Sequence, residues 1–214
     1  MFPIVSRPFA ERATAADLSG KTTLANILTE FIPDHERNVL IEDTAEIRIH
    51  KENVLRFEAR REQNGLQAVT IRDLLKATLR HWPDRIILGE IRGDEAFDLL
   101  QLLNTGHSGT LSTVHANSAG QGISRFTTCV LQSGIEMPYR AIKTNIADSL
   151  DVIVQIERRP GKRFVSQVVE IVGYKSGDGY LSSTFHPLLP GCSFRCCCDF
   201  RGGVTTRILR RTYR

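Results

Sequence analysis

Short apolar runs alternate with stretches of helical period from Asn38 to Gly173, and that alternation confines the chain to an α/β architecture. Asn38 to Ile41 reads as a buried strand. Arg85-Ile86-Ile87-Leu88-Gly89-Glu90 reads as an apolar strand closing on an acid, and Thr110 to His115 as a strand closing on a histidine. Between them, Ile71 to Arg80 sets Leu74, Leu75, Thr78 and Leu79 on one side of a helix that Pro83 ends. Glu95 to Asn104 makes a second helix, closed by Gly106, and Arg140 to Ala147 a third. Asp151 to Glu157 and Phe164 to Gly173 are predicted strands joined by a hairpin at Pro160-Gly161. The polar residues gather at or just past strand C-termini, which in open α/β sheets is the ligand-binding edge.

The 214 residues suffice for one domain with a sizeable core, and 41% hydrophobic against 24% charged residues suits a soluble globular protein. No apolar run approaches the roughly 18 residues of a membrane helix. The opening Met1-Phe2-Pro3-Ile4-Val5-Ser6 lacks the charged-then-apolar layout of a signal peptide, so a cytoplasmic location is expected. The net charge of +4 is unevenly placed. Residues 181–214 hold six arginines against the single acid Asp199, which leaves the rest close to neutral and without a basic surface for specific nucleic-acid binding. That tail also carries Cys192, Cys196, Cys197 and Cys198, whose spacing matches no paired C-x-x-C zinc pattern, whereas Cys129 reads as a small packed residue. Three segments result. Residues 1–14 show no clear period and contain two prolines, 15–180 hold the alternating pattern, and 181–214 are irregular in composition and expected to pack loosely.

Four stretches carry chemistry. Ser19-Gly20-Lys21-Thr22-Thr23 leads into a segment where Leu24, Ile27, Leu28 and Phe31 fall at helical spacing. Small residues let backbone N–H groups wrap phosphates, a lysine reaches the outer phosphates, a Ser/Thr hydroxyl meets Mg²⁺, and the helix dipole faces the anion. The loop departs from the G-x-x-x-x-G-K-[ST] rule at Ala15, and Leu18 adds a second side chain. A left-handed backbone at either would cost on the order of 1–2 kcal/mol. Glu90 ends its strand about 70 residues later, where an acid for the Mg²⁺ shell or attacking water belongs. Ile41-Glu42-Asp43-Thr44-Ala45-Glu46 puts three carboxylates on one short loop, which repel unless a cation or water network uses them. Gly106-His107-Ser108-Gly109 to His115-Ala116-Asn117 brings a histidine to a strand end. Taken singly, each admits a plainer reading: a helix start with an incidental lysine, an exposed acid opening a turn, a solvated acidic loop, a structural histidine.

Together, in this order and spacing, the four resemble the secretion ATPase superfamily, and the stretch from Asp84 to Ser118 is similar to the TrbB-type conjugal-transfer ATPases. The resemblance spans about residues 19–180. It implies a RecA-like P-loop core built as a three-layer sandwich, with a degenerate N-terminal segment and an irregular tail beside it. It implies ATP and Mg²⁺ as ligands, with Ser19, Gly20, Lys21, Thr22 and Thr23 holding phosphate and Thr22 and Glu90 reaching the metal. By the same resemblance Glu42 and Asp43 are the acidic-box carboxylates, Glu90 the catalytic acid, and His115 the residue near the γ-phosphate. Arg56 and Arg60 become candidates to reach phosphate across a subunit boundary, with two plain surface arginines as the alternative. The family also implies a hexameric homo-oligomer and a secretion or conjugation machinery at the inner membrane. Ala15, Leu18 and the lack of room for the family's N-terminal domain lead us to expect a truncated copy with reduced turnover. The alternative is a fragment that only binds nucleotide or sister subunits.

Overall fold

The computed structural model describes residues 3–6, 20–105, 109–175 and 179–185. Its frame is an eight-stranded sheet in the order β3-β2-β4-β5-β1-β6-β7-β8. The strands are β1 (Pro3–Ser6), β2 (Asn38–Glu42), β3 (Val54–Glu58), β4 (Arg85–Ile91), β5 (Leu111–Val114), β6 (Val152–Arg159), β7 (Lys162–Lys175) and β8 (Gly179–Phe185). From β3 to β6 every pairing is parallel; β6, β7 and β8 then pair antiparallel. The helices are α1 (Lys21–Glu30), α2 (Ile71–Thr78), α3 (Glu95–Asn104), α4 (Ala119–Gln132) and α5 (Tyr139–Ser149).

Side-chain alternation divides the core in two, as a doubly covered sheet requires. Val39 and Ile41 of β2, Ile86 and Leu88 of β4, and Val114 of β5 face α3, α4 and α5 in the larger cluster, around the fully buried Phe126. Leu40, Ile87 and Leu111 point the opposite way, onto Ala25 of α1 and onto Ile47 and Ile49. The strands therefore read as unbroken apolar runs because both faces are buried.

Local signals explain the helix boundaries. Thr70 and Asp73 form a reciprocal capping box, with the Asp73 N–H donating to the Thr70 hydroxyl at 3.1 Å and the Thr70 N–H to Asp73 at 3.0 Å. Ser118 caps α4 by accepting from the Gln121 N–H at 3.2 Å. The hairpin at Pro160-Gly161 forms where it was expected, between β6 and β7.

Several sequence expectations shift. Helix α4 and strand β3 were not anticipated: Gly120, Gly122 and a run of Ser and Thr dilute the period of α4, while β3 is a short edge strand. Helix α1 buries Lys21, Ala25 and Thr29, leaving Ile27 and Phe31 of the apolar stripe exposed. The unpatterned first residues contribute β1, which lies between β5 and β6. The sheet continues past Tyr180 to Phe185, so five residues first grouped with the loose tail belong to an ordered strand. Residues 186–214 lie outside the described residues.

Candidate functional site

The C-terminal ends of β2, β4 and β5 and the start of α1 converge on one edge of the sheet. Gly20 takes a left-handed conformation, φ 95°, and begins α1, its carbonyl accepting the Leu24 N–H at 2.9 Å. Only glycine adopts that backbone without strain. Lys21, the first residue of the helix, is buried, and its Nζ lies 3.2 and 3.3 Å from the two ring nitrogens of His115. The Thr22 hydroxyl donates to Glu46 Oε2 at 3.1 Å. Thr23 is exposed. Ser19, Ala15, Leu18 and His107 lie outside the described residues.

Strand β4 reaches this edge through a bulge. Its register with β5 advances from Leu88 opposite Ser112 to Ile91 opposite Val114, so Gly89 and Glu90 together face one residue, Thr113. Such a bulge re-aims the side chains it carries. The Thr113 hydroxyl donates to the Gly89 carbonyl at 2.7 Å and pins the distortion. A Cβ on Gly89 would sit 3.1 Å from Glu42 Cγ, so the glycine leaves space for that acid. Glu42 is buried, and one of its carboxylate oxygens accepts the N–H groups of Glu46 at 3.0 Å and Ile47 at 2.9 Å. Burial raises its pKa above the ordinary 4.5, outweighing the opposing effect of the two N–H groups. Glu42 therefore folds the acidic loop back on itself, placing Glu46 against Thr22.

Glu90 sits at the centre of the convergence. One of its oxygens is in close ion-pair contact with His115 Nε2, and the other accepts from Arg92 Nε at 2.7 Å. Arg92 also bonds Asp43 at 3.1 Å. Burial would push the Glu90 pKa up, but His115 and Arg92 prevail and hold it below 4.5. A continuous polar chain runs from Lys21 through His115, Glu90 and Arg92 to Asp43. It joins side chains from four separate segments of the sequence.

Of the predicted site residues, Gly20, Lys21, Thr22, Glu42, Asp43, Glu90 and His115 come together here. Arg56 and Arg60 are bonded to backbone carbonyls of their own chain, Arg56 near enough for its charge to act on Glu42. Arg56 donates to the carbonyls of Ile47 and Ile49 at 3.0 and 2.9 Å, and Arg60 to that of Gln67 at 3.0 Å. Arg92 joins the site from outside the predicted set. Its signal was its place two residues after Glu90 in Gly89-Glu90-Ile91-Arg92, which on an extended strand sets the two side chains on one face.

Comparison with known proteins decides the family. The model for "Type II/IV secretion system protein" matches residues 14–172. The chain belongs to the type II/IV secretion family. It is 40% identical over 163 residues to the type IV secretion system protein PtlH of Bordetella pertussis, covering 74% of this chain and 48% of that protein. It is 40% identical over 162 residues to the conjugal transfer protein TrbB of Rhizobium radiobacter, covering 74% and 47%. The chain thus spans about half the length of the curated relatives it matches. Among solved structures it is similar to the VirB11 ATPase of the Brucella suis type IV secretion system in complex with sulphate. The TM-score is 0.66 and the identity 30%, over 78% of this chain and 47% of that one. The mixed sheet with a parallel centre is the RecA-like P-loop fold that this secretion family shares, as the sequence led us to expect.

Proposed function

We propose that the chain is the ATP-binding and ATP-hydrolysing motor domain of a conjugal-transfer or type IV secretion ATPase. The observation that carries this reading is the convergence of Lys21, His115, Glu90 and Asp43, four motif residues far apart in sequence, at the start of α1. In this reading Gly20 and the first N–H groups of α1 bind the phosphates, and Lys21 leaves His115 to reach the outer ones. ATP with Mg²⁺ supplies the phosphoryl group and the charge that balances it. Among the described residues no cluster of three or more His, Cys, Asp or Glu side chains stands ready to hold an ion. Mg²⁺ at such sites takes only one or two protein oxygens beside the phosphates, a demand that the Thr22 hydroxyl and the Glu90 carboxylate fit. Glu90, kept ionised, orients the attacking water, and His115 beside it senses the γ-phosphate. Assembly into a hexameric homo-oligomer, docked on the secretion machinery at the inner membrane, belongs to the same proposal. Across such a ring Arg56 and Arg60 would approach the neighbour's phosphates only after leaving their present carbonyls.

A second reading, nucleotide binding with little or no turnover, is favoured by Ala15 where the phosphate-loop rule asks for glycine. One experiment separates the two. Calorimetry with Mg-ATP should show binding by the unsubstituted chain and none by Lys21→Ala. Steady-state phosphate release that falls in Glu90→Gln supports the motor. Binding without any release supports the second reading. Equal affinity of the unsubstituted chain and Lys21→Ala would defeat both.

A further inference from the structure

We propose that Arg163, carried by the β6–β7 hairpin, is a polyphosphate-binding residue of this site, supplied from within the same chain. The inference rests on the nucleotide reading above and adds a residue outside its four motifs. Two independent observations carry it. The first is position. The Cβ that Gly20 lacks would lie 3.3 Å from Arg163 Cδ, so the arginine side chain runs past the turn that opens α1. Strand β1 separates the flanks: Lys21 reaches toward β5 and β4 on one side, while β6 and β7 bring Arg163 from the other. The two cations thereby stand on either side of Gly20 and the start of α1.

The second observation is charge. In the hairpin register Arg158 stands opposite Arg163, and Arg159 opposite Lys162. Like charges directly opposite on paired strands are destabilising. All four side chains are exposed, and they line a cavity of about 310 Å³ with Gly161 at its turn. Glu157 offsets part of the repulsion through a 3.6 Å contact with Arg159, whose guanidinium also lies 5.2 Å from the Phe164 ring. A triphosphate brought to Gly20 would lie within the field of these four cations. Arginine suits this task because its planar fork donates two parallel hydrogen bonds to phosphate oxygens.

The test uses the full chain and two probes, Mg-ATP and inorganic tripolyphosphate, titrated by calorimetry. Arg163→Ala should weaken both by roughly tenfold, the effect of losing one charge-assisted hydrogen bond at a solvated site. Arg163→Lys should lose less. Arg140→Ala, which removes an equal charge from the exposed face of α5, should stay within about twofold, since distant exposed charges are screened. The melting temperature of Arg163→Lys should match that of the unsubstituted chain and so separate folding from binding. Unchanged affinity in Arg163→Ala, with Lys21→Ala abolishing binding, overturns the inference and leaves the nucleotide reading standing. A loss for Mg-ATP but not for tripolyphosphate assigns Arg163 to the nucleoside and overturns the polyphosphate role. An equal loss in Arg140→Ala reduces the effect to net charge and overturns it as well. Absence of Mg-ATP binding by the unsubstituted chain defeats the nucleotide reading and this inference with it.

Discussion

Replacing Gly89 by alanine should destabilise the protein only while Glu42 is present. The φ of Gly89 lies outside the left-handed region, so alanine meets no backbone strain. The conflict is steric: the new methyl would stand 3.1 Å from Glu42 Cγ, with Cβ and Oε1 of the same side chain both at 3.6 Å. Glu42 can retreat only by drawing Oε1 away from the Glu46 and Ile47 N–H groups. Hydrogen bonds to a charged group are worth about 1.5–3 kcal/mol each, and overpacking a tight site costs about 1–3 kcal/mol. Weakening rather than breaking the pair puts the cost of Gly89→Ala at about 1–3 kcal/mol. In a Glu42→Ala background the obstacle is gone, and the same change should fall within about 0.5 kcal/mol of zero. Urea unfolding of the four members of this double-mutant cycle measures the coupling, expected at about 1–2 kcal/mol. Additivity within 0.5 kcal/mol, the usual tolerance for independent sites, would refute the claim that the glycine exists to admit Glu42.

Glu42 and Glu90 should respond to pH with opposite sign. The lowered pKa of Glu90 gives stability that is present above 4.5 and lost as pH falls through the folded value, so the stability gap to Glu90→Gln should close in acid. The raised pKa of Glu42 gives a contribution that is full below 4.5 and lost as pH rises through the folded value. Glu42→Gln should therefore gain on the unsubstituted protein between pH 4 and 8 in urea titrations. Arg56→Ala should lower unfolding free energy by about 1 kcal/mol through its two carbonyl bonds, and more than Arg60→Ala, which has one; the reverse order in urea unfolding would undo the assignment. Phe126→Ala should cost about 3–5 kcal/mol by the same assay, because its ring is fully buried between α4 and the sheet.

The site was legible in the sequence where a side chain's role depends on a strand or helix end. Glu90 and His115 each lie at or just past an apolar run, and the order of strand and helix then places them on one edge. What stayed hidden depends on register and on contacts between distant segments. The bulge at Gly89-Glu90 follows from the offset of β4 against β5, which no local pattern encodes. Arg92 reads as one more surface charge until Glu90 and Asp43 are seen on either side of it. The stripe of Ile27 and Phe31 has good helical spacing, yet α1 turns Lys21 and Ala25 inward, where Lys21 meets His115 and Ala25 packs on Leu40, Ile87 and Leu111. Strand β1 stays hidden for another reason: four residues are too few to show a period.

That short strand sets a timetable for synthesis. Ile4 pairs with Ser112 on one side and with Ile153 on the other. The ribosome therefore releases the middle of the sheet first and its two neighbours much later. At about 5–20 residues per second, roughly 7 to 30 seconds separate β1 from the completion of its slots. Contacts so distant along the chain form slowly. Until they form, β2, β3 and β4 can join one another on one side while the β6–β7 hairpin waits on the other. An early pause or a nascent-chain partner at β1 would decide whether the two halves close around it or collapse onto each other without it.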